Sequence, residues 1–287
     1  MPLTHSRTFR VRYYECDPYG FVRPAHLLRY MQEAAFDATA AAGYDIARYE
    51  AMGRLWLIRE TELEVLQPLT YGDVVEVRTW VADFRRVRSR RAYEFRLCGA
   101  DTAVVRAVTD WVFLDRAALR PVTIPQELKV AFFPEGVPAS APPRRRFVQP
   151  PLPPDGGFRR RRRVVWSDLD QAGHVNNAVY ADYVEDCGTE MVAARGWPAA
   201  RLLAEGAALS SVRHRLEYRL PALPGDELEI VTWFSEISED RLIRQAQVMR
   251  RSDGALLVRA QSVQLWVEQA TGRSRPMPAR FLSDLSP

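Results

Sequence analysis

The chain has almost no lysine. Lys129 is the only one among 40 basic residues, so arginine carries the small net charge of +4. That surplus is too small to define a nucleic-acid-binding protein, and no recognition helix, zinc pattern or aromatic RNA-binding signature accompanies it. The runs Arg144–Arg146 and Arg159–Arg163 read as a solvated linker and the start of a strand. Cysteine is also scarce. Cys16, Cys98 and Cys187 show neither metal spacing nor a paired pattern, which excludes a disulfide scaffold and points to a reducing cytoplasm. No apolar run is long enough to span a membrane. The opening stretch, MPLTHSRTFRVRYY, lacks the apolar core of a secretion signal. Of the four histidines, His5, His26 and His214 stand alone.

What is present is a packed-core composition, 47% hydrophobic over 287 residues, enough for two domains. The two halves carry one plan. The offset that places Val11 on Val164 also places Tyr13 on Trp166, Asp17 on Asp170, Gly20 on Gly173 and Val22 on Val175. Further on it matches Leu63-Glu64 with Leu216-Glu217, Gly72-Asp73 with Gly225-Asp226, Thr79-Trp80 with Thr232-Trp233, and Val105-Arg106-Ala107 with Val258-Arg259-Ala260. We read this as internal duplication.

Each half has a first strand, a polar turn, one long helix and a run of strands. The helices are expected at about 24–42 and 177–195, with Gly43 and Gly196 where they stop. Alternating residues predict strands near 54–66, 73–84, 89–98 and 103–115, and again near 211–220, 226–237, 241–250 and 255–268. This order is α+β. A stretch rich in proline and glycine divides the chain into residues 1–135, a linker at 136–157, and residues 158–287.

One stretch concentrates the chemistry: VVWSDLDQAGHVNNAVYADY, Val164 to Tyr183. Val164, Val165 and Trp166 favour an extended chain. Asp170 and Gly173 lie where it must turn, and Asn177 is the expected N-cap of the following helix. Asp168, Asp170, His174, Asn176 and Asn177 would then crowd a helix N-terminus, where unpaired N–H groups favour negative charge. Cys187 falls on the apolar helical face and reads as packing, not as a nucleophile. Asp168 and Asp170 lack a third metal ligand nearby.

Duplication lets the halves be compared. Glu15 and Asp17 keep the two acidic positions, but Phe21 stands for His174, and Arg23 and Pro24 stand for Asn176 and Asn177. The second half alone keeps the imidazole and both amides.

These residues resemble the acyl-acyl carrier protein thioesterases. The resemblance rests on WSDLDQAGHVNNAVYADY, on Leu55-Trp56-Leu57, on GDVVEVRTWV (Gly72–Val81), on Arg120 to Pro125 and on LEYR (Leu216–Arg219). It implies two tandem hotdog domains, each a long helix wrapped by a curved antiparallel sheet, joined as a pseudo-dimer. It implies hydrolysis of the thioester between a fatty acyl chain and the phosphopantetheine arm of an acyl carrier protein, with no metal or organic cofactor. Asp170 and His174 match the family's Asp-x-Asn-x-His arrangement. Ala172 stands at its Asn, and Pro221-Ala222 stand where plant members carry Glu-Cys. The expected catalytic set is Asp170, His174, Asn176 and Asn177. The expected acyl-binding set is Trp56, Leu57, Leu28 and Met31 in the first half. Arg85, Arg86, Arg88, Arg90 and Arg91 offer a docking patch for an acidic carrier. An acyl-CoA thioesterase and a non-catalytic acyl-binding double hotdog are the alternatives, and a homodimer is left open.

Overall fold

The computed structural model describes residues 2–136, 147 and 150–285. Much of the expected linker 136–157, and the run Arg144–Arg146, lie outside the described residues. The chain divides into two compact units. One holds residues 1–13 and 26–146, the other 14–25 and 147–287. Residues 14–25, which carry Asp17, therefore pack with the second unit and not with the half they belong to in sequence.

The first unit contains β1 (Thr4–Arg10), most of α1 (Pro24–Ala41), α2 (Ile46–Ala51), β2 (Arg54–Val65), β3 (Val74–Phe84), β4 (Arg88–Leu97), β5 (Ala103–Asp115) and α3 (Gln126–Phe132). Its strands run antiparallel in the order β1-β3-β4-β5-β2. The second contains β6 (Phe158–Arg163), α4 (Asn177–Ala194), α5 (Ala199–Ala204), β7 (Ala207–Tyr218), β8 (Glu227–Ile237), β9 (Leu242–Arg250), β10 (Leu256–Glu268) and α6 (Ala279–Leu285). Its antiparallel order is β6-β8-β9-β10-β7, the same plan again. The duplication is structural: the offset of Val11 to Val164 carries the bounds of nearly every element of one half onto the other. Even the bulge between Val81 and Asp83 recurs between Phe234 and Glu236. A bulge bends its strand and raises the local twist, so repeated bulges curve each sheet the same way.

In the second unit α4 lies against β8, β6 and β9. Its inner face is Tyr180, Tyr183, Val184, Cys187, Met191 and Val192, all buried. The sheet answers with Leu228, Ile230, Thr232, Ala246 and Val248. Each buried valine, leucine, isoleucine or methionine among them contributes roughly 1.5–3 kcal/mol by leaving water.

The arginines of β6 start a strand, as the sequence implies, and are mostly ion-paired. Arg159 reaches Glu229 at 2.8 Å, Arg160 reaches Glu190 at 2.9 Å, and Arg162 stacks 4.2 Å over Tyr183 while pairing with Asp168 at 3.3 Å. The strand stops at Arg163. Trp166–Asp168 form a 3-10 turn and do not continue the extended chain expected from Val164 to Trp166. The Asp168 carboxylate causes this: it accepts the Val165 N–H at 2.9 Å and pulls the chain into the turn.

Candidate active site

The polar stretch folds as a tight loop between that 3-10 turn and α4. Leu169 and Val175 pair as a single bridge. Within it the Asp170 N–H donates to the His174 carbonyl and the Gly173 N–H to the Asp170 carbonyl, both at 3.0 Å. Gly173 has φ of +78°, a conformation that disfavours any side chain. The Ala172 N–H donates to Asp170 Oδ1 at 2.9 Å, which fixes the carboxylate over the turn.

Three of the expected residues meet here. His174 Nδ1 lies 3.7 Å from Asp170 Oδ1 and 3.2 Å from the Val175 carbonyl. Both neighbours are acceptors, so in the neutral ring the tautomer they favour is the one with Nδ1 as donor and Nε2 as acceptor. Asn176 is the N-cap of α4: its Oδ1 accepts the Ala178 N–H at 2.9 Å. Its Nδ2 donates to Asp170 Oδ2 at 3.3 Å. The cap is thus Asn176 and not Asn177, because residue 176 is the one still extended, with ψ of 141°. Asn177 is the first helical residue, and its carbonyl accepts the Tyr218 hydroxyl at 3.1 Å. The Asn176 N–H goes to the Asp168 carbonyl and the Ala178 N–H to the Asn176 side chain. Among the described residues the Asn177 N–H, at the helix start, meets no acceptor.

The neighbouring residues have structural duties. Asp168 is buried and committed to Val165 and Arg162. Glu217 pairs with Arg259 at 3.7 Å. At Ala222 the main chain braces the loop, taking the Val175 N–H at 3.0 Å and donating to Tyr180 Oη at 2.8 Å. Burial pushes the Tyr180 phenol up to about 12. Cys187 is buried, with its thiol pushed by burial up to about 11, which suits packing and not nucleophilic attack.

The first half keeps only part of this design. Asp17 Oδ1 accepts the N–H groups of Tyr19 and Phe21 at 2.9 and 3.0 Å. Burial, aided by the Glu185 charge, still lifts Asp17 to about 6. Of the expected acyl-binding residues, Leu28 and Met31 are buried in α1, and Trp56 packs on Phe113 with ring centres 4.7 Å apart. Leu57 is half-buried on β2. Arg91 is not available for docking. It is 5% exposed, 5.5 Å from the Phe132 ring centre, and its side chain points inward with Ser89, Tyr93 and Phe95 on the buried face of β4.

His214 is not incidental. It is 4% exposed, with Nδ1 3.8 Å from Glu185 Oε1, and it helps line a small pocket against α4 beside Ser262. Burial lowers its pKa, against the opposing pull of the Glu185 charge. Arg244, 1% exposed, completes this network by donating to Glu185 and to the Val184 carbonyl. These partners come from separate elements, so no local motif announces them.

Comparison with known proteins gives two family matches. Residues 2–132 match the family described as acyl-ACP thioesterase N-terminal domain, and residues 164–285 match the thioesterase-like superfamily. A chloroplastic palmitoyl-acyl carrier protein thioesterase of Gossypium hirsutum is 24% identical over 274 residues, covering 91% of this chain and 63% of that protein. One from Arabidopsis thaliana is 26% identical over 191 residues, 63% of this chain and 46% of its own. The chain thus spans about half to two-thirds of the length of these relatives. Among solved structures, a 12:0-ACP thioesterase from Umbellularia californica aligns with a TM-score of 0.73 at 22% identity, covering 92% and 94% of the two chains. An acyl-ACP thioesterase from Bacteroides thetaiotaomicron aligns at 0.67 and 18% identity, over 91% and 97%. These likenesses establish the hotdog fold in each half.

Proposed function

We propose that the chain, whose first part matches the acyl-acyl carrier protein thioesterase family and whose second matches the thioesterase-like superfamily, hydrolyses fatty acyl thioesters of acyl carrier protein to free fatty acid and carrier. The observation that carries this reading is the loop at the start of α4, where Asp170, His174 and Asn176 converge beside the Asn177 N–H.

The geometry suits general-base hydrolysis. Asp170 and the Val175 carbonyl hold the imidazole with Nδ1 protonated, and Nε2 takes a proton from water. The hydroxide formed attacks the thioester carbon. The carbonyl oxygen becomes negative against the Asn177 N–H at the positive end of α4. Collapse breaks the C–S bond, and the leaving thiolate takes the proton back from His174. Asn176 is a positioning residue here, since its amide holds Asp170 and caps the helix. Direct attack by Asp170 is the rival chemistry.

The acyl chain is assigned to apolar residues of the first unit, among them Leu28, Met31, Trp56 and Leu57. All three cysteines are free thiols, which supports a reducing compartment such as the cytoplasm. Among the described residues no helix is long and apolar enough to cross a membrane. The test is release of free acid from acyl carrier protein and from acyl-CoA by the purified protein. Preference for the carrier ester supports the proposal. Preference for the CoA ester points to the acyl-CoA alternative, and no turnover of either contradicts hydrolysis.

A further inference from the structure

Trp166 opens the 3-10 turn four residues before Asp170, and it is 90% exposed. A large aromatic side chain normally buries roughly 150–250 Å² of surface, so leaving one in water calls for a partner. The duplicated half supplies the comparison. Tyr13, at the equivalent position, is itself 81% exposed but meets Tyr71 edge-on, with ring centres 5.8 Å apart. The residue equivalent to Tyr71 is Pro224. Among the described residues Trp166 has no ring partner.

Trp166 is not isolated. The Val164 N–H donates to Asp226 at 2.9 Å and the Val175 N–H to Ala222 at 3.0 Å. These bonds lay the 220–226 loop beside the Asp170 loop. Val165, Leu220 and Leu223 are all exposed there to about half their surface. Charges around this rim are largely compensated. Asp226 pairs with Arg250 at 3.0 Å, and Glu227 lies 3.9 Å from Arg163. Arg219, exposed and next to Leu220, has no carboxylate partner among the described residues. On the 220–226 side of this rim the one charge left without an ion pair among the described residues is that of Arg219.

We propose that this rim, with Trp166 at its centre and Arg219 at its edge, is where an acidic acyl carrier protein docks. The inference rests on the thioesterase reading above and names the partner that delivers the thioester to it. Interfaces concentrate their energy in Trp and Arg, with apolar side chains at the centre and charge at the border. A free coenzyme A would bring phosphates, for which one arginine among four apolar side chains is a poor match. A small acidic protein brings both an apolar face and negative charge.

The experiment compares the wild-type chain with Trp166→Ala and Arg219→Glu on two substrates carrying the same acyl group, acyl carrier protein and acyl-pantetheine. Docking at this rim predicts that kcat/KM on the carrier ester falls at least tenfold more than on acyl-pantetheine for Trp166→Ala. Arg219→Glu should show the same selective loss, shrinking as salt screens it. Equal losses on both substrates would overturn the inference. So would a change in sedimentation of Trp166→Ala, which would put a second copy of the chain on the rim. A wild-type protein that cleaves acyl-pantetheine but not the carrier ester refutes docking and leaves hydrolysis standing. One that cleaves neither removes both.

Discussion

Replacing Gly188 with alanine should destabilise the second unit, although the same change in an open helix would stabilise it. Gly188 lies inside α4. Glycine there costs roughly 0.5–1 kcal/mol relative to alanine. A Cβ on residue 188, however, would sit 1.6 Å from Arg244 Nη1 and 2.3 Å from Cζ. The guanidinium is held in place by the Val184 carbonyl at 2.6 Å and by Glu185. It must leave, and removing one partner of a buried ion pair costs about 3–5 kcal/mol. Subtracting the helix-propensity gain leaves a net loss of about 2–4 kcal/mol, or roughly 5–15 °C in the melting transition of that unit. The assay is thermal and denaturant unfolding of four proteins: wild type, Gly188→Ala, Arg244→Met and the double variant. With Arg244 already replaced by methionine, alanine at 188 should cost nothing, so the cycle should show strong coupling. A Gly188→Ala protein as stable as wild type, or a cycle without coupling, would refute the reasoning.

Other outcomes follow from the same geometry. Asp17→Asn keeps an oxygen for the Tyr19 and Phe21 N–H groups but removes a charge that the fold disfavours. Because the folded pKa of about 6 exceeds the ordinary 3.8, the wild type loses stability as pH rises from about 4 to 6. The variant should match it below pH 4 and exceed it by up to roughly 3 kcal/mol above pH 6. Equal stability across that range in unfolding titrations would contradict the assignment. Asn176→Ala removes the cap of α4 and the hold on Asp170. It should cost about 1 kcal/mol of stability and lower kcat more than it changes KM. A single turnover in water enriched in heavy oxygen should place the label in the released acid and none in Asp170; label in the Asp170 carboxylate would favour covalent attack.

The duplication made most of the fold legible before any coordinates. Strand and helix order repeat in both halves, and even the places where reading by pattern slipped could have been corrected by the repeat. The start of β7 is the clearest case. Alternation suggested Ser211, yet the strand begins at Ala207, the residue equivalent to Arg54 at the start of β2. Ala207 and Ala208 are small and fully buried, so they carry no alternating signal. The loop with Asp170, His174 and Asn176 was legible because it is contiguous. Its internal division of labour was not. Capping depends on which asparagine is still extended, a matter of ψ and not of residue type. The network of Glu185, His214 and Arg244 was invisible because its members come from α4, β7 and β9. Arg91 misled for a related reason: a run of arginines on a strand alternates faces, and period two sends one of them inward.

The central claim is that the imidazole on the Asp170 loop activates the water. It is tested most directly by steady-state hydrolysis of an acyl carrier protein substrate by His174→Ala, with folding verified beside the wild type. The account predicts a fall in kcat of roughly 10²–10⁴-fold. A folded His174→Ala protein that turns over at the wild-type rate would contradict it.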